Sequence, residues 1–212
     1  MSFELTVDEG KFLTKLARRA IVTFLNTREK IDVPLNASTK LNDKYGVFVT
    51  LNKITHGKAE LRGCIGFPIP HFSLMRATID AATSAATSDP RFPRVTIQEL
   101  KNVVVEISVL TPPLLIEVDD VRDYVHEVEI GRDGLIVERG WSRGLLLPQV
   151  PVEWNWDVEE FLANCCIKAG LSPDTWLVNG TKIYKFSCVI ARESSPDGPV
   201  EVIDMRKREI YG

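Results

Sequence analysis

Residues 102–110, NVVVEISVL, form the most β-branched run of the chain. Such residues pack best on a pleated surface, so the run predicts a central strand. Its one charge, Glu106, sits among apolar neighbours and is expected on the exposed face of the pleat or in a pair, because an unpaired buried carboxylate is costly. Two more strand-like runs, 45–51 and 59–65, flank a polar His56-Gly57 turn and predict a β-hairpin. Residues 129–138 read as a second hairpin around Arg132-Asp133-Gly134, with a third strand near residues 145–147, and residues 181–191 read as a late strand.

Helical signals alternate with these runs. Thr6-Val-Asp-Glu9 is a capping-box pattern, followed by Phe12, Leu13, Leu16, Ala17, Ala20, Ile21, Phe24 and Leu25 at helical spacing, which predicts a helix over 6–29. Pro34, Asn36 and Ser38 make 31–41 a loop. Residues 73–88, rich in Ala and Thr, suit a helix packed closely against a neighbour, ended by the rigid Asp89-Pro90-Arg91-Phe92-Pro93. Thr96 and Glu99 form a further capping box, and Asp157 to Glu160 another. The latter opens a helix whose Phe161, Leu162, Cys165, Cys166 and Ala169 share one face before Gly170 ends it. From Glu193 onward, Pro196, Gly198, Pro199 and the basic cluster Arg206-Lys-Arg208 read as a mobile tail.

Composition narrows the class. The 212 residues are 44% hydrophobic and 26% charged, which is ordinary for a globular protein of one large domain or a domain with a smaller subdomain. A net charge of −3 supplies no global basic field, so a nucleic-acid partner is disfavoured. The longest uncharged stretch, 63–75, has 13 residues and two prolines, against roughly 18–20 apolar residues for a membrane span, so no membrane association is expected. The opening residues MSFELTVDEGK do not resemble a secretory signal, which predicts a cytoplasmic location. Charge is unevenly spread: residues 117–160 carry 12 acidic and 4 basic groups, whereas residues 1–60 carry 7 and 10.

The chemistry-bearing candidates are few. Cys64, Cys165, Cys166 and Cys188 show no C-x-x-C pair, so free thiols are expected and neither a metal nor a cofactor is called for. Leu61-Arg-Gly-Cys-Ile-Gly66 places a thiol between two glycines, beside an arginine. Cys64 is the candidate nucleophile and Arg62 the group that would favour its thiolate, while Gly63 and Gly66 would let a ligand or a backbone approach closely. The other reading makes Cys64 a small buried hydrophobe in a bulged strand. Asp89 and Arg91 either present a guanidinium to an anionic ligand or tie down their own loop. His56 and His71 flank Cys64 at 8 and 7 residues, but His56 reads better as an exposed turn residue, His71 as a helix N-terminal residue and His126 as a surface residue. Cys165 and Cys166 read as core. Trp141, Trp154, Trp156 and Trp176 are either binding anchors or packing. No phosphate loop, G-x-S-x-G elbow or H-E-x-x-H motif is present.

Several stretches together resemble the AMMECR domain family. They are residues 46–51 (GVFVTL), the hexapeptide 61–66, Asp89 to Pro93, residues 106–110 (EISVL), residues 131–134 (GRDG), residues 147–150 (LPQV), Trp156-Asp157 and residues 168–171 (KAGL). The resemblance spans residues 5–192, leaves 193–212 as a tail, and departs from the family pattern at Glu153-Trp-Asn155, where members more often carry a polar run. It implies an α+β fold with a larger and a smaller subdomain, a mostly antiparallel sheet with packed helices, and a cleft lined by the hexapeptide. It also implies a pathway shared with Memo-like and radical-SAM proteins, but no reaction. Two functional expectations follow. The first is a Cys64 cleft that binds a small molecule or a partner segment through Arg62, Gly63, Gly66, Asp89 and Arg91, enzymatic if the thiol is a nucleophile. The second is an adapter that docks partner proteins through the acidic second half.

Overall fold

The structure, a computed structural model, describes residues 3–35, 38–207 and 209–211, the last three as backbone alone. Asn36 of the expected loop and Arg208 of the basic cluster lie outside the described residues. In chain order the elements are α1 (Val7–Thr27), β1 (Gly46–Thr55), β2 (Lys58–Phe67), α2 (Leu74–Thr87), α3 (Ile97–Leu100), β3 (Val103–Leu110), β4 (Leu114–Leu115), α4 (Tyr124–Glu127), β5 (Gly134–Arg139), β6 (Ser142–Leu146), α5 (Gln149–Glu153), α6 (Val158–Lys168), β7 (Lys182–Phe186), β8 (Cys188–Glu193), β9 (Val200–Asp204) and β10 (Glu209–Tyr211). Short 3₁₀ turns join several of them.

The chain divides into two compact units. The larger holds the residues up to Leu110 together with Val189–Asp204 and the chain end, and is built on a sheet of strand order β10-β9-β8-β3-β1-β2. The β-branched run is therefore internal, as expected, with β1 and β8 on its two sides. Alternation decides the faces. Val47, Val49 and Leu51 of β1 and Val105, Ile107 and Val109 of β3 are fully buried in one core with Leu13, Leu16 and Ile21 of α1 and Leu74 and Ile79 of α2. Thr6 and Glu9 close the predicted capping box on α1. Arg18 of α1 pairs with buried Glu193 at 2.5 Å, and Glu193 also accepts from the Val105 amide at 2.8 Å. These bonds tie α1 to β3 and β8.

The segment after Glu193, read from sequence as a mobile tail, contributes β9 to this sheet. Val202 is fully buried there, and a Cβ on Gly10 of α1 would stand 2.8 Å from it. The prolines and glycine at 196–199 make a tight connection between β8 and β9, which a reading of their composition mistakes for looseness.

The smaller unit, Thr111–Cys188 with residues 205–207, carries a sheet of order β4-β7-β5-β6. Its core holds Leu135, Val137, Phe161, Leu162, Cys165, Cys166, Trp176 and Ile183, so four residues of the predicted apolar face of α6 are buried as expected, while the fifth, Ala169, caps the helix end and is partly open. The second hairpin is displaced from its predicted place. β5 begins at Gly134 and turns at Gly140-Trp141 into β6, while Arg132 and Asp133 belong to a tight turn in which the Asp133 carboxylate accepts from the Glu129 amide at 2.9 Å. The expected single strand at 181–191 is two strands in two sheets. At Ser187 the backbone exchanges bonds with Thr111, and the side-chain hydroxyl donates to the Arg132 carbonyl at 2.8 Å.

Candidate functional site

The hexapeptide lies on β2, the edge strand of the larger sheet. His56 and Gly57 both adopt positive φ, 51° and 77°, and form the two-residue turn of the predicted hairpin. An unbroken ladder from that turn would set Gly63 opposite Thr50. The register instead shifts beside Leu51: Asn52 faces Leu61, Leu51 faces Gly63, and Thr50 faces Cys64. Arg62 is the extra residue of a β-bulge. The bulge makes Leu61, not Arg62, the next residue on the Cys64 face.

Consequently the two charged neighbours of the thiol have different fates. Arg62 is buried and forms a bidentate pair with Glu99 of α3, at 2.7 and 3.0 Å, with its guanidinium 5.8 Å from the Phe92 ring. Arg91, half exposed, forms a bidentate pair with Asp89 at 3.0 and 2.7 Å, and its guanidinium lies 5.4 Å from the Phe92 ring. Asp89 is buried, and it accepts from the Cys64 amide at 2.8 Å, while Arg91 donates to the Cys64 carbonyl at 3.3 Å. An edge strand leaves alternate backbone groups unpaired. Here the carboxylate and the guanidinium supply the acceptor and donor that a neighbouring strand would have supplied. Since both backbone groups of Cys64 turn outward, Cys64 and Thr50 are a non-hydrogen-bonded pair, the kind whose side chains stand closest. The Thr50 hydroxyl donates to Cys64 Sγ at 3.3 Å.

Thr50 also faces Glu106 on β3, so Cys64, Thr50 and Glu106 form one transverse row across β2, β1 and β3. All three are only partly buried. Burial pushes the Cys64 thiol above its usual value; Thr50 and Arg91 pull it down, and Glu106 and Asp89 push it up. The Arg91 hydrogen bonds hold the Asp89 carboxyl well below the usual carboxylate range, and the Arg62 hydrogen bonds hold that of Glu99 down.

The glycines of the hexapeptide have packing roles. A Cβ on Gly63 would stand 2.2 Å from the Ala85 carbonyl of α2, and one on Gly66 would stand 2.3 Å from the Phe48 ring. Gly63 thus lets the alanine-rich α2 lie directly on β2. His56, His71 and His126 are exposed, and the hydrogen-bond partners of Cys64 are Thr50, Asp89 and Arg91. Cys165, Cys166 and Cys188 are buried. Trp176 is core and Trp156 packs against it from partial burial, whereas Trp154 is 69% exposed and Trp141 fully so. Among the described residues no three His, Cys, Asp or Glu side chains are grouped to hold a metal ion. None of the described helices is long and apolar enough to cross a membrane.

Sequence inspection singles out Cys64, Arg62, Gly63, Gly66, Asp89 and Arg91, and the structure gathers all six on or beside one edge strand. It does not single out Thr50 or Glu99. The sequence signals for Thr50 are its place in the 46–51 stretch and the hairpin ladder counted back from His56-Gly57, and the bulge offsets that count by one.

Two antiparallel sheets, each with helices packed against it, define a mixed α/β protein whose most distinctive surface is a polar row beside a clamped edge strand. The chain belongs to the AMMECR1 family, whose sequence profile matches residues 14–191. It is similar to Protein PH0010 of Pyrococcus horikoshii, 52% identical over 95% of this chain and 98% of that one. It is also similar to Protein MJ0810 of Methanocaldococcus jannaschii, 52% identical over 92% and 96%. The crystal structure of PH0010, described as an uncharacterized protein, superposes with a TM-score of 0.90, covering 95% of this chain and 100% of that one.

Proposed function

We propose that this is a cytoplasmic protein whose Cys64 face binds a small molecule or a segment of a partner, without a covalent bond to the thiol. The observation that carries the reading is the Cys64–Thr50–Glu106 row: a thiol, a hydroxyl and a carboxylate side by side and partly open on one sheet. A few convergent polar groups on a preformed surface are what orient a ligand. The half-exposed Arg91 adds a cation at the rim, its Nη1 unused by the clamp. Arg62 is engaged by Glu99, and burial raises the thiol, so the site is better matched to binding than to nucleophilic attack. The family resemblance adds a setting, a pathway shared with Memo-like and radical-SAM proteins.

The test is alkylation of the folded protein by iodoacetamide across pH, each cysteine read by peptide mass spectrometry. The expected Cys64 midpoint lies above the roughly 8.5 of a free thiol. A midpoint well below it would replace the binding reading with an activated nucleophile. Compounds that bind the row should shield Cys64 from the reagent.

A second reading, docking of partner proteins by the acidic half, is supported by the exposure of Trp141 and Trp154. Alanine at both positions should then remove partner binding while leaving Cys64 alkylation unchanged.

A further inference from the structure

We infer that a shallow groove on the smaller unit, between the start of α6 and the 3₁₀ turn Pro173–Leu177, receives a lysine or arginine side chain from a basic segment of a partner protein. The groove has a volume of about 320 Å³ and is lined by Glu159, Glu160, Ala163, Pro173, Asp174, Trp176 and Leu177. That volume is at the lower end for ligand pockets and matches one long side chain better than a whole peptide or a cofactor.

The lining divides by chemistry. Ala163, Pro173, Trp176 and Leu177 make an apolar floor, with Trp176 held in the core and Leu177 41% exposed. Glu159, Glu160 and Asp174 make an exposed acidic rim. Lysine and arginine match both parts at once, laying a hydrocarbon stem on apolar surface while the charged head stays at the wet edge. Trp176 adds an aromatic ring of the kind that attracts cations.

Charge complementarity selects the occupant. The groove lining contains no cation, and among the described residues none of its three carboxylates has an ion-pair partner. Glu160 accepts from the Asp157 amide as part of the α6 capping box, and Asp174 accepts weakly from Ser172 at 3.5 Å. The α6 N-terminus contributes roughly half a positive charge, which offsets only a fraction of three carboxylates. Neutral and acidic segments are therefore disfavoured. The groove is separate from the Cys64 row in residues and chemistry, so either proposal can fail without the other.

The test uses the full chain, ¹⁵N-labelled at tryptophan, titrated with an acetylated and amidated Leu-Arg-Leu-Arg peptide. The control peptide carries citrulline in place of arginine, which keeps the shape and removes the charge. A saturable shift of the Trp176 indole resonance is expected, with Trp141 and Trp154 unmoved. The double variant Glu159→Gln/Asp174→Asn should weaken binding by about 5-fold, on the scale of two exposed ion pairs, and added salt should act in the same direction. Ala163→Lys leaves the capping residues intact and should abolish the shift by placing a cation in the groove, which keeps the test decisive if the double variant folds poorly. Equal binding of the citrulline peptide, an unshifted Trp176 at millimolar peptide, or undiminished binding by Ala163→Lys would each overturn the proposal.

Discussion

The two units of the molecule solve the same packing problem with the same device and then diverge. In the larger, Gly63 of β2 lets α2 approach until a Cβ would stand 2.2 Å from the Ala85 carbonyl; in the smaller, Gly144 of β6 lets α6 approach until a Cβ would stand 2.5 Å from the Ala169 amide and 2.6 Å from the Cys165 carbonyl. Each contact has a cysteine beside it. Cys165 lies on the helix side, fully buried, its thiol pushed up to about 12 by burial. Cys64 lies on the strand side, partly open, with Thr50, Asp89, Arg91 and Glu106 around it. Architecture and chemistry therefore separate in the hexapeptide: Gly63 does in β2 what Gly144 does in β6, and what is peculiar to β2 is the polar row and the clamp.

Alanine at either glycine tests the shared part and carries the largest expected effect. Gly63→Ala and Gly144→Ala should each cost about 3 kcal/mol of unfolding free energy in urea titration, the upper range for overpacking, because the obstructing atoms are backbone and cannot swing away. A neutral Gly63→Ala would break the parallel and return Gly63 to a ligand-facing role.

The clamp has no counterpart at Gly144, so its removal should affect the larger unit alone. Asp89→Ala deprives the Cys64 amide of its acceptor and Arg91 of its partner, and should cost about 2 kcal/mol, with Arg91 half exposed and free to hydrate. Because the folded-state value of Asp89 is depressed, its stabilisation is present above the unfolded carboxyl value near 4 and is lost as pH falls through the folded one. Asp89→Asn should therefore unfold with a shallower dependence on pH below about 4 than the unaltered chain.

The thiols give a third contrast. Cys165 should remain unalkylated in the folded protein up to pH 10, while Cys64 reacts with a raised midpoint. Smaller shifts test the row residue by residue. Glu106→Gln should lower the Cys64 midpoint, and Thr50→Val and Arg91→Ala should each raise it, since the first removes a group that opposes the thiolate and the others remove groups that favour it. Mass-spectrometric alkylation profiles read all three, and identical profiles would show that the row does not couple to the thiol.

Much of the local structure is legible in the residues themselves. The capping boxes at Thr6 and Asp157 and the His56-Gly57 turn depend on interactions within a few residues, and the apolar face of α6 and the β-branched run of β3 are written in the local order of side chains, although what covers and flanks them is not. The candidate site residues are legible for a related reason: Cys64 between glycines and Asp89 two residues from Arg91 are unusual local combinations.

What the tertiary structure decided is register and partnership. The bulge at Arg62 brings Cys64 rather than Gly63 opposite Thr50 and sends Arg62 to Glu99, 37 residues away. Ser187 divides one apparent strand between two sheets, and β9 joins the sheet from a segment that by composition looks loose. These outcomes depend on which distant surface satisfies an edge amide or covers an apolar face, and such long-range balances leave no mark on the local order of residues.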